Sequence, residues 1–232
     1  MAGRSDLLMA GRSDEADVLV AWGSGDAGPM TGGPMNGESG RRLCADLTRI
    51  VRRETPVRSI CDLGCGNGFL TAQLARLADR VVGVDASKLL LEVAAAHHRP
   101  ANVEYRYGLF GPDLAADLAR DPFDLVISAD VIEHLYRPMT LIETAATVLK
   151  PGGRFIVCTP YHGYLKNVAI SALGHWDSHH SVAWDGGHIK FFSPPTLAAL
   201  VERQFDVNGF EYYGRVRWFW KNMICIATKR GA

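Results

Sequence analysis

The chain has 232 residues, 47% of them hydrophobic and 22% charged, enough to bury a full-sized core as one domain with an appendage. Lysine plus arginine equals aspartate plus glutamate at 25 each, so no overall field draws the chain onto a nucleic acid or an anionic membrane. Five cysteines (Cys44, Cys61, Cys65, Cys158 and Cys225) form no CxxC pair. Neither a secretory leader nor an apolar run of about 18 residues is found, which points to a reduced, soluble, cytoplasmic protein.

In chain order, residues 1–40 repeat "AGRSD" and then turn rich in Gly, Met and Pro, the composition of a disordered or mobile arm that orders on binding. Trp22 and Met30 are the arm residues able to close over a ligand. From Arg41 onward short apolar runs alternate with stretches of helical period. Strands are predicted at 57–63, 81–85, 103–107, 123–129 and 154–159, rich in Val, Ile, Phe and Tyr. A helix follows the first strand, with Leu70, Leu74, Leu77 and Ala78 on one face, and another spans 138–149 with Pro138 in its first turn. "KPGG" at 150–153 predicts a tight turn with a positive φ at glycine. Two β-rich runs at 208–217 and 221–228 predict a C-terminal antiparallel hairpin beside an otherwise parallel sheet with helices on both faces.

"CDLGCGNGFL" at 61–70 places Gly64, Gly66 and Gly68 where the first strand meets its helix, the ligand edge of such a sheet. The pattern departs from a dinucleotide fingerprint at Phe69 and has no Gly-Lys-Ser/Thr, so both phosphate readings weaken. Asp62, beside the loop, would repel a pyrophosphate and attract an ammonium. Asp85 ends "VVGVD" about 20 residues on, where a carboxylate accepts both ribose hydroxyls. A nucleoside joined to an amino acid without phosphate fits both, which describes S-adenosylmethionine.

"CDLGCGNG", "VVGVDAS", "FDLVISADVIEHL" and "LKPGGRFIVCTP", in this order, resemble the class I S-adenosylmethionine-dependent methyltransferases over roughly 57–230. The resemblance implies a Rossmann-like α/β fold with a mostly parallel seven-stranded sheet. It also implies a donor site in which Asp62, Gly64, Cys65, Gly66, Asn67 and Gly68 take the methionine half. Asp85, Ala86 and Ser87 take the ribose and adenine, the stretch Tyr107, Gly108 and Leu109 lies at the adenine edge, and Ser128 and Ala129 close the strand beneath. "YGLF" lacks the usual acidic residue after the third strand.

The acceptor must be aligned with the methyl and lose its proton. "ADVIEHL" at 129–135 offers Asp130, Glu133 and His134 at the same edge. One reading makes His134 a general base, its unperturbed pKa of about 6.5 suiting neutral pH. The other places Asp130, Glu133 and His134 on one helical face, i, i+3 and i+4, as ligands of a divalent cation such as magnesium. A third leaves Glu133 and His134 only shaping the turn. The spacing resembles the E-x-x-E-H of the ubiquinone-pathway O-methyltransferases, with Asp130 for the first glutamate.

Residues 160–192 predict a lid-like insertion crowded with aromatics, covering an apolar small-molecule acceptor and excluding water. Tyr161, His162, Tyr164, Trp176, Trp184 and His188 are its predicted acceptor contacts. Residues 164–173 admit two readings, packing against the core or lying on a membrane surface as a peripheral contact, the latter supported by a single lysine. The functional expectation is O-methylation of an aromatic or polyprenyl hydroxyl, with N- or carboxyl-methylation, or a donor-binding subunit without turnover, as alternatives. No basic groove for nucleic acid is seen. Oligomeric state is not set by any feature of the chain.

Overall fold

The computed structural model describes residues 38–54, 56–180 and 187–231. Most of the segment assigned to the N-terminal arm, with Trp22 and Met30, and the predicted acceptor contact Trp184 lie outside the described residues. The first helix, α1 (Glu38–Arg53), begins inside that segment. After it come β1 (Ser59–Leu63), α2 (Phe69–Leu74), β2 (Arg80–Asp85), α3 (Lys88–His97) and β3 (Val103–Tyr107). The second half runs α4 (Pro112–Leu118), β4 (Phe123–Ala129), a 3-10 turn (Ile132–His134), α5 (Met139–Val148) and β5 (Leu149–Pro160). It ends with α6 (Tyr164–Ala172), α7 (Trp176–His180), α8 (Pro194–Val201), β6 (Phe205–Tyr213) and β7 (Asn222–Lys229).

The seven strands form one sheet in the order β3-β2-β1-β4-β5-β7-β6. β3, β2, β1, β4 and β5 pair in parallel, while β7 runs antiparallel to β5 and β6, as the two C-terminal runs predicted. Every residue of β1 is buried, as a central strand covered on both faces requires. Alternate residues separate the two faces. Ile60, Leu125, Ile127, Ile156 and Ile224 pack with Leu43, Leu47 and Ile50 of α1 and Leu70 and Leu74 of α2. Cys61, Leu63, Val126, Phe155 and Val157 pack instead with α4, α5 and α8 through Leu118, Leu141, Ile142 and Leu197.

Two local expectations shift. Pro138 caps α5 from outside rather than opening its first turn. Gly152 does take a positive φ of 73°, yet the expected turn lies within β5. Residues 150–153 bulge out between two register positions, Leu149 opposite Phe123 and Arg154 opposite Leu125.

Order in the sheet reverses between β1 and β4, so ligands have their crevice at the carboxyl ends of these strands. The glycine loop, Asp85, Asp130 and the insertion all start from that edge. The β6–β7 tip reaches it as well, because Asn222 pairs with Pro160.

Candidate active site

On the β1–β2 side the loop is pinned by main chain. The Gly64 and Cys65 N–H groups both donate to the Val84 carbonyl at 2.8 and 2.9 Å, and the Gly66 N–H donates to Asp85 Oδ2 at 2.8 Å. Gly64, Gly66 and Gly68 all have positive φ, at 84°, 54° and 78°. A Cβ on Gly64 would overlap Val131 and one on Gly68 the Tyr105 hydroxyl, whereas Gly66 faces open space. Two of the glycines therefore serve close packing, and the middle one leaves room over the loop.

Both Asp85 oxygens are oriented by backbone, Oδ1 accepting the Ser87 N–H at 2.8 Å and Oδ2 that of Gly66. Their remaining lone pairs are the ones available to a diol. Asp62 is 1% exposed and accepts the Thr71 hydroxyl at 2.7 Å. Burial, with Asp85 nearby, pushes its carboxyl up to about 7. Asn67 is buried, its Oδ1 accepting the Phe69 N–H at 3.3 Å while its Nδ2 has no partner. Ser87 caps α3, accepting the Leu90 N–H, with Ala86 buried before it. Gly108 donates to the Asp85 carbonyl at 3.1 Å, and Tyr107 and Leu109 are exposed at the rim. Ser128 is fully buried and donates to the Leu63 carbonyl at 2.7 Å, strapping β4 to β1 beneath the loop beside buried Ala129.

The turn after β4 departs from the expected helix. Ile132–His134 is only three residues of 3-10 helix, and Asp130 precedes it at φ 54°. Asp130, Glu133 and His134 therefore do not share one helical face. Asp130 Oδ1 accepts from the Asn222 side-chain amide at 2.6 Å. Glu133 and His134 are brought together instead with His188, the candidate ligand atoms of these three lying within 4.8 Å of one another.

Glu133 is 1% exposed; its Oε2 accepts the Thr159 hydroxyl at 2.9 Å and its Oε1 has no hydrogen-bond partner. Burial, then the nearby Asp130, pushes its carboxyl well above the usual range. His134 Nδ1 lies 3.2 Å from the Gly187 carbonyl. That oxygen only accepts, so in this contact Nδ1 is the donor. The Nε2 atoms of His134 and His188 each lie 4.0 Å from Glu133 Oε1, and the two rings meet edge to face at 4.9 Å.

The insertion is stitched over this turn by main chain. The Ile189 and Lys190 N–H groups both donate to the Glu133 carbonyl, at 3.0 and 2.9 Å, and the His162 N–H donates to the Phe192 carbonyl at 3.0 Å. His162 is buried with both ring nitrogens unpartnered, stacked on His180 and edge-on to Phe191. Burial, then the charge of Lys166, pushes its imidazole down to about 4. Tyr161 is buried in the core against Tyr212 and Trp220. Trp176 is half-exposed beside His180. Tyr164 is 80% exposed, as the first residue of α6 on the outer face, so it lines no enclosed pocket. α6 buries only Lys166, which donates to the Tyr161 and Trp220 carbonyls, while Leu165, Val168 and the following Leu173 are exposed. Packing of this helix into the core is thus slight.

Thr71, Thr159 and Asn222 were not singled out from sequence. "CTP" puts Thr159 in a recognised block, but only the β5–β7 register brings Asn222 to Asp130.

The methyltransferase domain family matches residues 55–187. The chain belongs to that family. Its glycine loop and sheet order are those of a class I S-adenosylmethionine-dependent enzyme, and S-adenosylmethionine is the donor. The methyltransferase is 32% identical over 181 residues to the ubiquinone biosynthesis O-methyltransferase of Methylobacterium nodulans, covering 73% of this chain and 70% of that one. It is 29% identical over 191 residues to the protein of the same name from Ruegeria pomeroyi, covering 78% and 74%. Its fold is similar to that of the N-methyltransferase NodS from Bradyrhizobium japonicum, solved in complex with S-adenosyl-L-homocysteine. The TM-score is 0.63 at 15% identity, covering 93% of this chain and 98% of that one. Among the described residues of the methyltransferase no helix is long and apolar enough to cross a membrane.

Proposed function

We propose that the enzyme methylates an oxygen of a small aromatic acceptor bearing an apolar tail, with His134 as the general base. The observation that carries this reading is the position of the His134 ring, held at the acceptor edge by its Nδ1 contact with the Gly187 carbonyl and with Nε2 4.0 Å from buried Glu133. The acceptor oxygen attacks the sulfonium methyl in line with the breaking C–S bond. A C–O bond forms, the C–S electron pair stays on sulfur, and the hydroxyl proton passes to His134 Nε2. The products are a methyl ether and S-adenosylhomocysteine. Glu133, held by Thr159 with its Oε1 4.0 Å from His134 Nε2, is placed to pair with the imidazolium that results. Two relatives named for ubiquinone biosynthesis support an oxygen acceptor of quinol type.

His162, Phe191 and Trp176 supply an aromatic wall that suits an apolar ring. Tyr164, Leu165, Val168 and Leu173, exposed along α6, support a peripheral contact with the surface in which a tailed acceptor dissolves. Asp62 and Asn67 face the methionine half of the donor, Asp85 its ribose, and Tyr107 and Leu109 its adenine. The same Glu133 and His134 pair also suits a divalent cation, which when bound acidifies a coordinated hydroxyl. Methyl transfer from labelled S-adenosylmethionine to catechols, phenols, amines and carboxylic acids tests the proposal. Label on a catechol or phenol is expected, and label only on amines or carboxylates overturns it.

A further inference from the structure

We propose that Tyr105 is a positioning residue of the donor site, bracing the glycine loop against the far end of α3 and so setting the spacing between the methionine and ribose halves. The inference rests on the reading that the loop takes the methionine half of the donor and Asp85 its ribose, and it accounts for two residues that this reading leaves aside, Gly83 and Phe69.

Tyr105 lies on β3 opposite Gly83 of β2. A Cβ on Gly83 would stand 2.9 Å from the Tyr105 ring and 3.0 Å from Cys65 Sγ, so the glycine inside "VVGVD" makes the room through which the ring reaches the loop. The same side chain is met again at Gly68, where a Cβ would overlap the Tyr105 hydroxyl and stand 2.8 Å from Ala94 Cβ of α3. Loop, β3 and α3 therefore converge on one point, and glycine at φ 78° is what admits all three.

The hydroxyl sits between two carbonyls. It donates to His98, the residue that ends α3, and lies 3.4 Å from the Gly68 carbonyl, which also accepts the Ala72 N–H as α2 begins. Burial, then the nearby Cys65 and Asp62, pushes the phenol up, so it stays a donor. A second contact ties the same segments, because the Phe69 ring meets the His98 ring edge to face at 5.7 Å. Ser87 caps the opposite end of α3 and its N–H holds Asp85. A helix fixed at His98 thus holds the ribose carboxylate at a set distance from the loop.

Calorimetric binding of S-adenosylhomocysteine and of adenosine to the full-length protein tests this, since the first ligand spans both halves and the second only the ribose half. Tyr105→Phe keeps the ring and loses the hydroxyl. It is expected to weaken S-adenosylhomocysteine by roughly 3- to 10-fold and adenosine by less than about twofold, with circular dichroism reporting that the domain is folded. Phe69→Ala is expected to show the same split, at about 2- to 5-fold. S-adenosylhomocysteine affinity within about twofold of the parent in both variants, or adenosine weakened as much as S-adenosylhomocysteine, overturns the brace. Asp85→Ala separates it from the placement of the donor. Adenosine unaffected by that change sinks the ribose assignment and the brace with it, whereas adenosine lost there, beside an unaltered Tyr105→Phe, sinks the brace alone.

Discussion

Around Gly64 to Gly68 nearly every polar group already has a protein partner, whereas around Glu133 and His162 several buried ones do not. In the first region Asp62 is bonded to Thr71, Asp85 to two backbone amides and Ser128 to Leu63; only the Asn67 side-chain amide is left over. In the second, Glu133 Oε1, both nitrogens of His162, Asn167 Oδ1 and His180 Nε2 are unpartnered. A buried group left unsatisfied costs roughly 1 to 3 kcal/mol. The donor half is therefore organised before its ligand arrives, and the acceptor half stores polar capacity that a bound molecule or ion can release.

The contrast predicts that damage to one half spares binding in the other. The largest effect is expected for His134→Ala, a fall in kcat of roughly 10²- to 10⁴-fold with donor affinity, read by calorimetry, unchanged. Weakened donor binding in that variant would show the halves to be one unit. Asp85→Ala removes the acceptor for two loop N–H groups as well as for the ribose, and donor affinity is expected to drop by about 100-fold while acceptor KM stays put.

Acid should act on both halves, in each case as pH falls. Asp62, raised to about 7 by burial, is protonated below that pH, and pairing with the donor ammonium then requires proton release. Donor affinity should fall by up to about tenfold per pH unit below 7, and Asp62→Asn should flatten the profile. His162 is depressed to about 4, so the unfolded chain takes up its proton first as pH drops below about 6.5. Its contribution to stability is complete above 6.5 and lost progressively down to about 4, and His162→Phe should remove that part of the thermal-melting profile. The smallest effect belongs to Tyr164→Ala, whose side chain is 80% exposed; turnover of a soluble acceptor should change by less than about twofold.

Most of the donor half was legible because its signals are local. Glycines at alternate positions after an apolar run, and a carboxylate closing the next strand, lie within 25 residues of one another in the chain. The sheet was equally readable from period and β-branched runs, although the bulge at 150–153 was not, since glycine with a positive φ serves a turn and a bulge alike. The acceptor half depends on pairings distant in sequence. His188 reaches Glu133 across 55 positions and Asn222 reaches Asp130 across 92, and neither pairing leaves a periodic trace. Spacing of i, i+3 and i+4 implied a helix after β4, but that turn runs for only three residues and Asp130 leaves the helical region before it.

The insertion is anchored to the turn after β4 through the amides of Ile189 and Lys190 on the Glu133 carbonyl. Bonds between main-chain atoms are indifferent to which side chains flank them, with proline the exception. A lineage can thus rewrite the aromatic wall of the insertion, and with it the range of acceptors, while the anchoring persists. Acceptor choice in this scaffold is in that sense exchangeable, and a library varied at 161–180 but sparing the amides of 189 and 190 is the economical way to redirect it.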